Sequence, residues 1–225
     1  GSAKSPITWR AADPENKPVL SAGTRLAGIW KRGNKPGVWQ LDLPEARQLA
    51  DGKGWNFRQL FVDGVRATRA RFPNKSEENP FLYADERNED AKDRIRIDPA
   101  LIKKGWLHET DVQVNLVVDW LFFNQWNTIA SFDKAEGTIH FSDQERHGRV
   151  FKLNWFYLEG ALVDLDEPGE WYLERKAGRL HYIPEAGKYP NTMRFVAPRL
   201  DRIIHCRGDV DTGRHVKHVH FDGLN

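Results

Sequence analysis

The sequence predicts a mostly β fold whose two ends read as incomplete rungs of a parallel β-helix. Three observations carry this. Nine Trp, 12 Phe and 5 Tyr bring aromatics to 12% of 225 residues, and aromatic side chains favour pleated, half-buried surfaces. Apolar residues recur at every second position in several segments, the period of a strand with one buried face. At both ends, short strand-like segments separated by Pro and Gly recur about every ten residues, which suits solenoid rungs.

Taken in order, Gly1 and Ser2 read as residues left by cloning and carry no fold signal. The N-terminal end then runs ITWRAA, PVLSAG and RLAGI across residues 7–29. Residues 44–50 suggest one or two helical turns. Residues 57–62 and 65–70 flank Asp63-Gly64, a strong tight-turn pair, and so read as a hairpin. Residues 74–93 are polar and aperiodic and read as a long loop. Asp98 is an N-cap candidate, with Pro99 opening a short helix over 100–104 that Gly105 ends.

Residues 111–118 alternate, with Val112, Val114, Leu116 and Val118 on one face. Residues 138–142 place Ile139 and Phe141 together, and residues 149–155 do the same for Phe151, Leu153 and Trp155. Residues 171–174 and 179–183 form a second expected hairpin, with Gly178 supplying positive φ at the turn. At the C-terminal end, RIIHCRGD and HVKHVHFDGLN look like the N-terminal segments. A rung cannot bury its face alone and needs about three neighbours. One or two at each end read as a solenoid cut on both sides.

Composition narrows function. Lys and Arg total 34 against 32 Asp and Glu, a formal net charge of +2. That balance gives no strongly basic footprint, so nucleic acid is not an expected partner. No apolar run reaches the roughly 20 residues of a spanning helix, so no membrane partner is expected either. The single cysteine, Cys206, cannot form an intrachain disulfide. No reactive partner stands out for it, so it reads as a buried structural cysteine. No phosphate-cradling glycine pattern occurs, and no cofactor is expected.

Two clusters suggest chemistry but favour a structural reading. Asp164, Asp166 and Glu167 bring carboxylates together, as glycoside hydrolysis requires. Asp164 and Asp166 would share a strand face, yet Asp166-Glu167-Pro168-Gly169 is also a turn sequence. His218 and His220 alternate on one strand face, with His205 and His215 near in sequence, but no third ligand follows and no metal site is expected. The strongest binding candidate is the run Asp119, Trp120, Leu121, Phe122, Phe123, Asn124, Gln125, Trp126, Asn127. An indole offers a flat apolar face to a sugar ring, and Asp119, Asn124 and Gln125 offer donors and acceptors to hydroxyls. The competing reading places Trp120, Phe122 and Trp126 in a core. Trp106 beside His108 is a weaker pair of the same kind.

The order of the motifs points further. ITWRAADPENKPVLSAGTRLAGIW resembles an early rung of right-handed parallel β-helix glycoside hydrolases. VWQLDLP and FRQLFVDGVRATRARFPN resemble the place where an inserted β-sandwich opens in such enzymes. GEWYLERKAGRLHYIP, VAPRLDRIIHCRGD and HVKHVHFDGL resemble the place where it closes and the solenoid resumes. The resemblance is to glycoside hydrolase family 141, and more distantly to family 120. It implies partial β-helix rungs over 5–29, a β-sandwich-like insert over 30–197 and resumed rungs over 198–225. It also implies an accessory region of a secreted or periplasmic enzyme acting on fucosides, xylosides or related plant or bacterial polysaccharides. In such families the catalytic carboxylates lie on rungs after the insert. No catalytic residue is therefore carried onto this chain, and it is expected to be inactive alone. The expected partner is a polysaccharide or oligosaccharide, with self-association through exposed β-helix edges. The alternative is an autonomous β-sandwich carbohydrate-binding module with Trp platforms.

Overall fold

The computed structural model of the chain describes residues 1–85, 92–108, 111–118, 121, 123–142 and 150–225. The protein is mostly β. In chain order the strands are β1 Ile7–Arg10, β2 Gly23–Arg25, β3 Lys31–Arg32, β4 Trp39–Asp42, β5 Phe61–Val62, β6 Val65–Arg66, β7 Thr68–Arg69, β8 Arg71–Phe72, β9 Leu82–Tyr83, β10 Arg94–Arg96, β11 Gln113–Val118, β12 Phe123–Asp133, β13 Thr138–Phe141, β14 Trp155–Glu159, β15 Glu170–Glu174, β16 Arg179–Tyr182, β17 Phe195–Pro198 and β18 Val219–Asp222. Among the described residues the only helical elements are short 3-10 turns.

The chain divides into two compact units. Residues 26–195 form the larger one, and residues 1–25 with 196–225 form the smaller.

In the larger unit, a seven-stranded sheet runs β10-β13-β12-β11-β14-β8, with β9 also paired to β14. Its centre is antiparallel throughout, with Asn115 opposite both Trp126 of β12 and Tyr157 of β14. One face carries the expected alternation. Val112, Val114, Leu116 and Val118 pack with Ile95, Ile139, Phe156 and Leu158 in a closed apolar core. The opposite face is covered too, since Asn115 and Val117 are buried as well. A five-stranded sheet runs β3-β4-β16-β15-β7. Leu41, Trp171 and Leu180, one from each of three of its strands, are fully buried. The hairpin β15–β16 forms as the sequence predicts, with Trp171 opposite Tyr182 and Gly178 in the left-handed region at φ 66°. At Asp63-Gly64, φ is positive at both residues (50° and 83°). That is the backbone a two-residue hairpin turn needs, and it joins β5 to β6.

Other expectations change. Of the strand expected over 149–155, the described residues 151–154 are not extended in a ladder. Leu153 sits at φ 70° and is exposed, and the strand begins only at Trp155. The Asn154 side chain turns the chain there by accepting from the Phe151 N–H. The expected helix over 100–104 shortens to a 3-10 turn, Pro99–Leu101, capped by the Asp98 carboxylate at the Ala100 N–H. Ile102 is extended and buried, and its place in the core overrides continuation of the helix. Gly105 then lies inside a second 3-10 turn, Lys104–His108. The turn at Pro44–Ala46 is likewise 3-10. The long loop over 74–93 contains β9.

In the smaller unit β1 and β18 pair in parallel, with Ile7 opposite Val219 and Trp9 opposite Phe221. β2 pairs antiparallel with Val196–Pro198 of β17. Separately, two backbone hydrogen bonds join residues 18–20 to residue 225, Leu20 N–H to Asn225 C=O and Asn225 N–H to Pro18 C=O. The segment RIIHCRGD, expected as a rung, holds no strand over residues 202–208, and Ile203 and Ile204 are exposed. Cys206 is exposed, not buried. Among the described residues only Asp209, at the end of that segment, pairs across to Arg214, and Ile203, Ile204 and Cys206 are left in solvent.

Candidate functional site

The face of the seven-stranded sheet opposite its core forms one wall of a cleft of about 460 Å³, lined by Arg58, Arg66, Arg69, Arg71, Lys75, Trp126, Tyr157 and Glu159 among others. Register explains the wall. Trp126, Asn115 and Tyr157 are cross-strand partners and therefore share one face. Glu159 follows Tyr157 two residues along β14 and lies opposite Gln113. The other wall comes from residues 58–69, which run through the β5–β6 hairpin into β7.

Aromatic rings set the floor. Trp126 meets Tyr157 edge-on, with centroids 6.1 Å apart and planes at 89°. The Arg58 guanidinium lies 5.3 Å from the Trp126 ring, and that of Arg71 lies 3.8 Å from the Tyr157 ring. Such contacts use the negative face of the π system. Arg71 is buried and fixed. Its Nε donates to Pro73 C=O at 2.9 Å and its Nη2 donates to Pro80 C=O. Burial pulls its guanidinium below the usual range, against the opposing pull of Tyr157, Glu159 and Glu170. Burial also pushes the Tyr157 phenol up to about 12, helped by Glu159, so it stays a neutral donor at ordinary pH.

Arg69 closes the inner end. Its Nη1 donates to Glu159 at 2.8 Å and to Gln113 Oε1 at 2.9 Å, and its Nη2 donates to Asp111 C=O at 3.2 Å. Gly160 makes the room. A Cβ there would stand 2.4 Å from Arg69 Nη2 and 2.8 Å from Asp111 O, and φ is 86°.

Charge in the cleft is one-sided. Five cations line it against one carboxylate, Glu159, and Arg69 already holds that carboxylate. Arg58, Arg66 and Lys75 are exposed. None of them forms an ion pair with any described residue. Asn115, on the same sheet face as Trp126 and Tyr157, is 1% exposed, and its amide nitrogen has no partner among the described residues.

The sequence-predicted binding run is partly here. Trp126 is 38% exposed on the cleft wall, so it is not a core residue. Asn124 is exposed two residues away on the same face but does not line the cleft. Gln125 faces the opposite way, opposite Leu116, because neighbouring strand residues alternate. Asp119, Trp120 and Phe122 lie outside the described residues. Trp106 is 1% exposed in the core, where its indole N–H donates to Asp164 at 2.7 Å. A buried ring cannot stack on a sugar.

The other clusters are structural. Asp164 sits in a 3-10 turn, not on a strand face shared with Asp166, and it also accepts from Lys103 Nζ at 2.6 Å. Asp166 accepts from the Asn74 amide, and Glu167 from the Ser76 hydroxyl. His218 precedes β18 at φ 56°, which breaks the alternation expected with His220. Among the described residues no three His, Cys, Asp or Glu side chains gather as a ligand set. The arginines of the cleft escaped the sequence reading. Their signal was four Arg within residues 58–71, a density hidden by treating that stretch as a hairpin alone.

Comparison with known proteins places these features. No curated protein matches the chain. A solved structure described as a glycoside hydrolase is similar over the whole chain, at 27% identity and a TM-score of 0.76. The chain spans 38% of that protein's length. Residues 36–185 match the GH141 insertion domain. That segment is about two-thirds of the chain and holds the seven-stranded sheet, all of the five-stranded sheet but β3, and the cleft, so the chain belongs to the GH141 insertion-domain family.

Proposed function

We propose that this chain is the accessory insert region of a secreted, polysaccharide-degrading glycoside hydrolase. Its larger unit frames or extends the substrate path, and its smaller unit supplies rungs that continue a parallel β-helix. The match of residues 36–185 to the GH141 insertion domain is the observation that carries this reading. The parallel β1–β18 ladder, which leaves Ile7, Trp9 and Phe221 exposed, supports the second half of it. A parallel ladder with bare apolar side chains suits stacking on further rungs, or self-association where none is present. The substrates proposed for the parent enzyme are fucosides, xylosides or related plant or bacterial polysaccharides.

In this reading the chain alone does not hydrolyse glycosides. Its clustered carboxylates are occupied, with Asp164 held by Lys103 and Trp106 and Glu159 held by Arg69. The test is turnover of aryl fucosides and aryl xylosides by the purified chain. Rates at the buffer background are expected. Turnover abolished by substituting one Asp or Glu within residues 1–225 would overturn the reading.

A second reading, an autonomous carbohydrate-binding module, is favoured by the half-exposed Trp126 on the cleft wall. The two readings separate on residues 26–195 expressed alone. A free module folds and binds oligosaccharide without the flanking segments, whereas a dependent insert does not.

A further inference from the structure

We propose that the cleft between the seven-stranded sheet and residues 58–69 binds an anionic sugar residue, its charge carried by a ring carboxylate or a sulfate ester. The proposal rests on the reading that this domain contacts oligosaccharide, and it names the class of sugar.

Charge selects the anion. Arg58, Arg66, Arg69, Arg71 and Lys75 face one space with Glu159 as the one carboxylate of its lining. Arg69 neutralises that carboxylate at 2.8 Å, which leaves the exposed Arg58, Arg66 and Lys75 without an ion pair to any described residue, while Arg71 makes no direct ion pair among the described residues and feels Glu159 and Glu170 only at longer range. A concave, partly desolvated wall of one sign focuses the field and concentrates counter-ions of the other sign. Arg71 cannot swing out to seek another partner, because two backbone carbonyls and the Tyr157 ring hold it. A buried guanidinium with no carboxylate partner among the described residues is costly to keep. A ligand anion would offset that cost.

Shape and aromatic content select a sugar. The space of about 460 Å³ lies in the usual range for small-ligand clefts. Trp126 offers a half-exposed indole at its wall, next to the exposed cations Arg58, Arg66 and Lys75. A pyranose ring packs on such a face while its carboxylate or sulfate reaches the guanidinium groups, which suit planar two-point recognition of oxyanions. The formal net charge is only +2, far from the strongly basic balance typical of a nucleic-acid-binding domain.

The experiment titrates the full chain by calorimetry with oligosaccharides of equal length at low ionic strength. The probes are neutral xylo-oligosaccharide, oligogalacturonide, methyl-esterified oligogalacturonide and sulfated galactan oligosaccharide, with inorganic polyphosphate as a non-sugar control. At least one charged sugar is expected to bind about tenfold more tightly than the neutral one, with the preference fading as salt rises. The oligogalacturonide and sulfated arms show which anion is preferred, and esterification should erase a carboxylate preference. The triple variant Arg58→Ala/Arg66→Ala/Lys75→Ala changes only exposed side chains and is expected to fold and to lose the preference. Lys104→Ala, an exposed cation that does not line the cleft, is expected to keep it. Equal binding of neutral and charged sugars overturns the anion assignment and leaves the oligosaccharide reading standing. No binding of any sugar overturns both. Polyphosphate binding as tightly as the sugars would show attraction to charge alone and would also overturn the assignment.

Discussion

Arg69 of β7 donates to Glu159 of β14 at 2.8 Å, and this bond joins the five-stranded sheet to the seven-stranded one. Both side chains are over nine-tenths buried. Arg175 makes a parallel link, from the end of the β15–β16 hairpin to the Asp111 carboxylate at 3.0 Å. The two sheets of the larger unit are thus tied by buried ions at the inner end of the cleft, where ordinary cores use apolar contact.

The pair predicts an asymmetric mutational response. Arg69→Met leaves Glu159 charged and buried, and should cost on the order of 3 kcal/mol of unfolding free energy. Arg69→Met/Glu159→Leu removes both charges and should recover much of that loss, because well-packed apolar replacements of buried pairs are often neutral. Denaturant unfolding of the two variants checks this. A double variant no more stable than the single one would show that the pair is not the source of the cost.

Gly160 sets the position of Arg69. At φ 86° an alanine is strained, and its Cβ would also meet Arg69 Nη2 and the Asp111 carbonyl inside 3 Å. Gly160→Ala should therefore lower stability by roughly 1–3 kcal/mol. It should also displace Arg69 from Glu159, read as altered oligosaccharide affinity in the folded fraction. Unchanged unfolding midpoint and unchanged binding would sink this account.

Much of the scaffold was legible in the residues. The β15–β16 hairpin announced itself through alternating Trp171, Leu173, Leu180 and Tyr182 around Gly178, and the core face of β11 through Val114, Leu116 and Val118. The other face of β11 was not legible. Asn115 and Val117 look like solvent positions in an alternating strand, but both are buried, and residues 58–71 stand across a cleft from Trp126 and Tyr157 on that face. That arrangement is non-local, and strand period alone reports which residues share a face, not what lies over it. The same gap separates Trp126, which the sequence singles out, from Arg71 and Tyr157, which it does not. Their proximity depends on pairing of β8 with β14, which brings Phe72 opposite Leu158 across about half of the larger unit's sequence.

Glu170 should make stability pH-dependent. It is 2% exposed, its Oε2 accepts the Asp166 and Glu167 N–H groups, and its Oε1 has no partner among the described residues. Burial raises its carboxyl from 4.5 to about 7, against the hydrogen bonds that lower it. The folded state therefore holds this proton more tightly than the unfolded chain. Its contribution is full below pH 4.5 and is lost as pH rises through about 7. Comparing wild type with Glu170→Gln isolates the effect. The stability difference should move in favour of the glutamine variant by on the order of 3 kcal/mol across that window, at about 1.4 kcal/mol per pH unit. A difference that stays flat with pH would mean the carboxyl is not raised.

The smaller unit should associate through its parallel ladder. Ile7 and Trp9 alternate onto one face of β1, and their partners Val219 and Phe221 continue that face on β18. Ile7 is 49%, Trp9 63% and Phe221 45% exposed, so the unit presents a contiguous apolar strip on a two-stranded ladder. Two strands alone are marginal in water, and among the described residues neither outer edge of the β1–β18 ladder pairs with a further strand, so both can accept one. The opposite face is polar, with Arg10 and Asp222 paired at 2.8 Å, which directs association to the apolar side. Sedimentation equilibrium of the chain should show a concentration-dependent shift toward dimer. Trp9→Ser/Phe221→Ser should abolish the shift while leaving the β-rich spectrum of the larger unit intact. A wild-type chain that stays monomeric at every concentration, or a variant that associates as strongly, would place the stacking surface elsewhere.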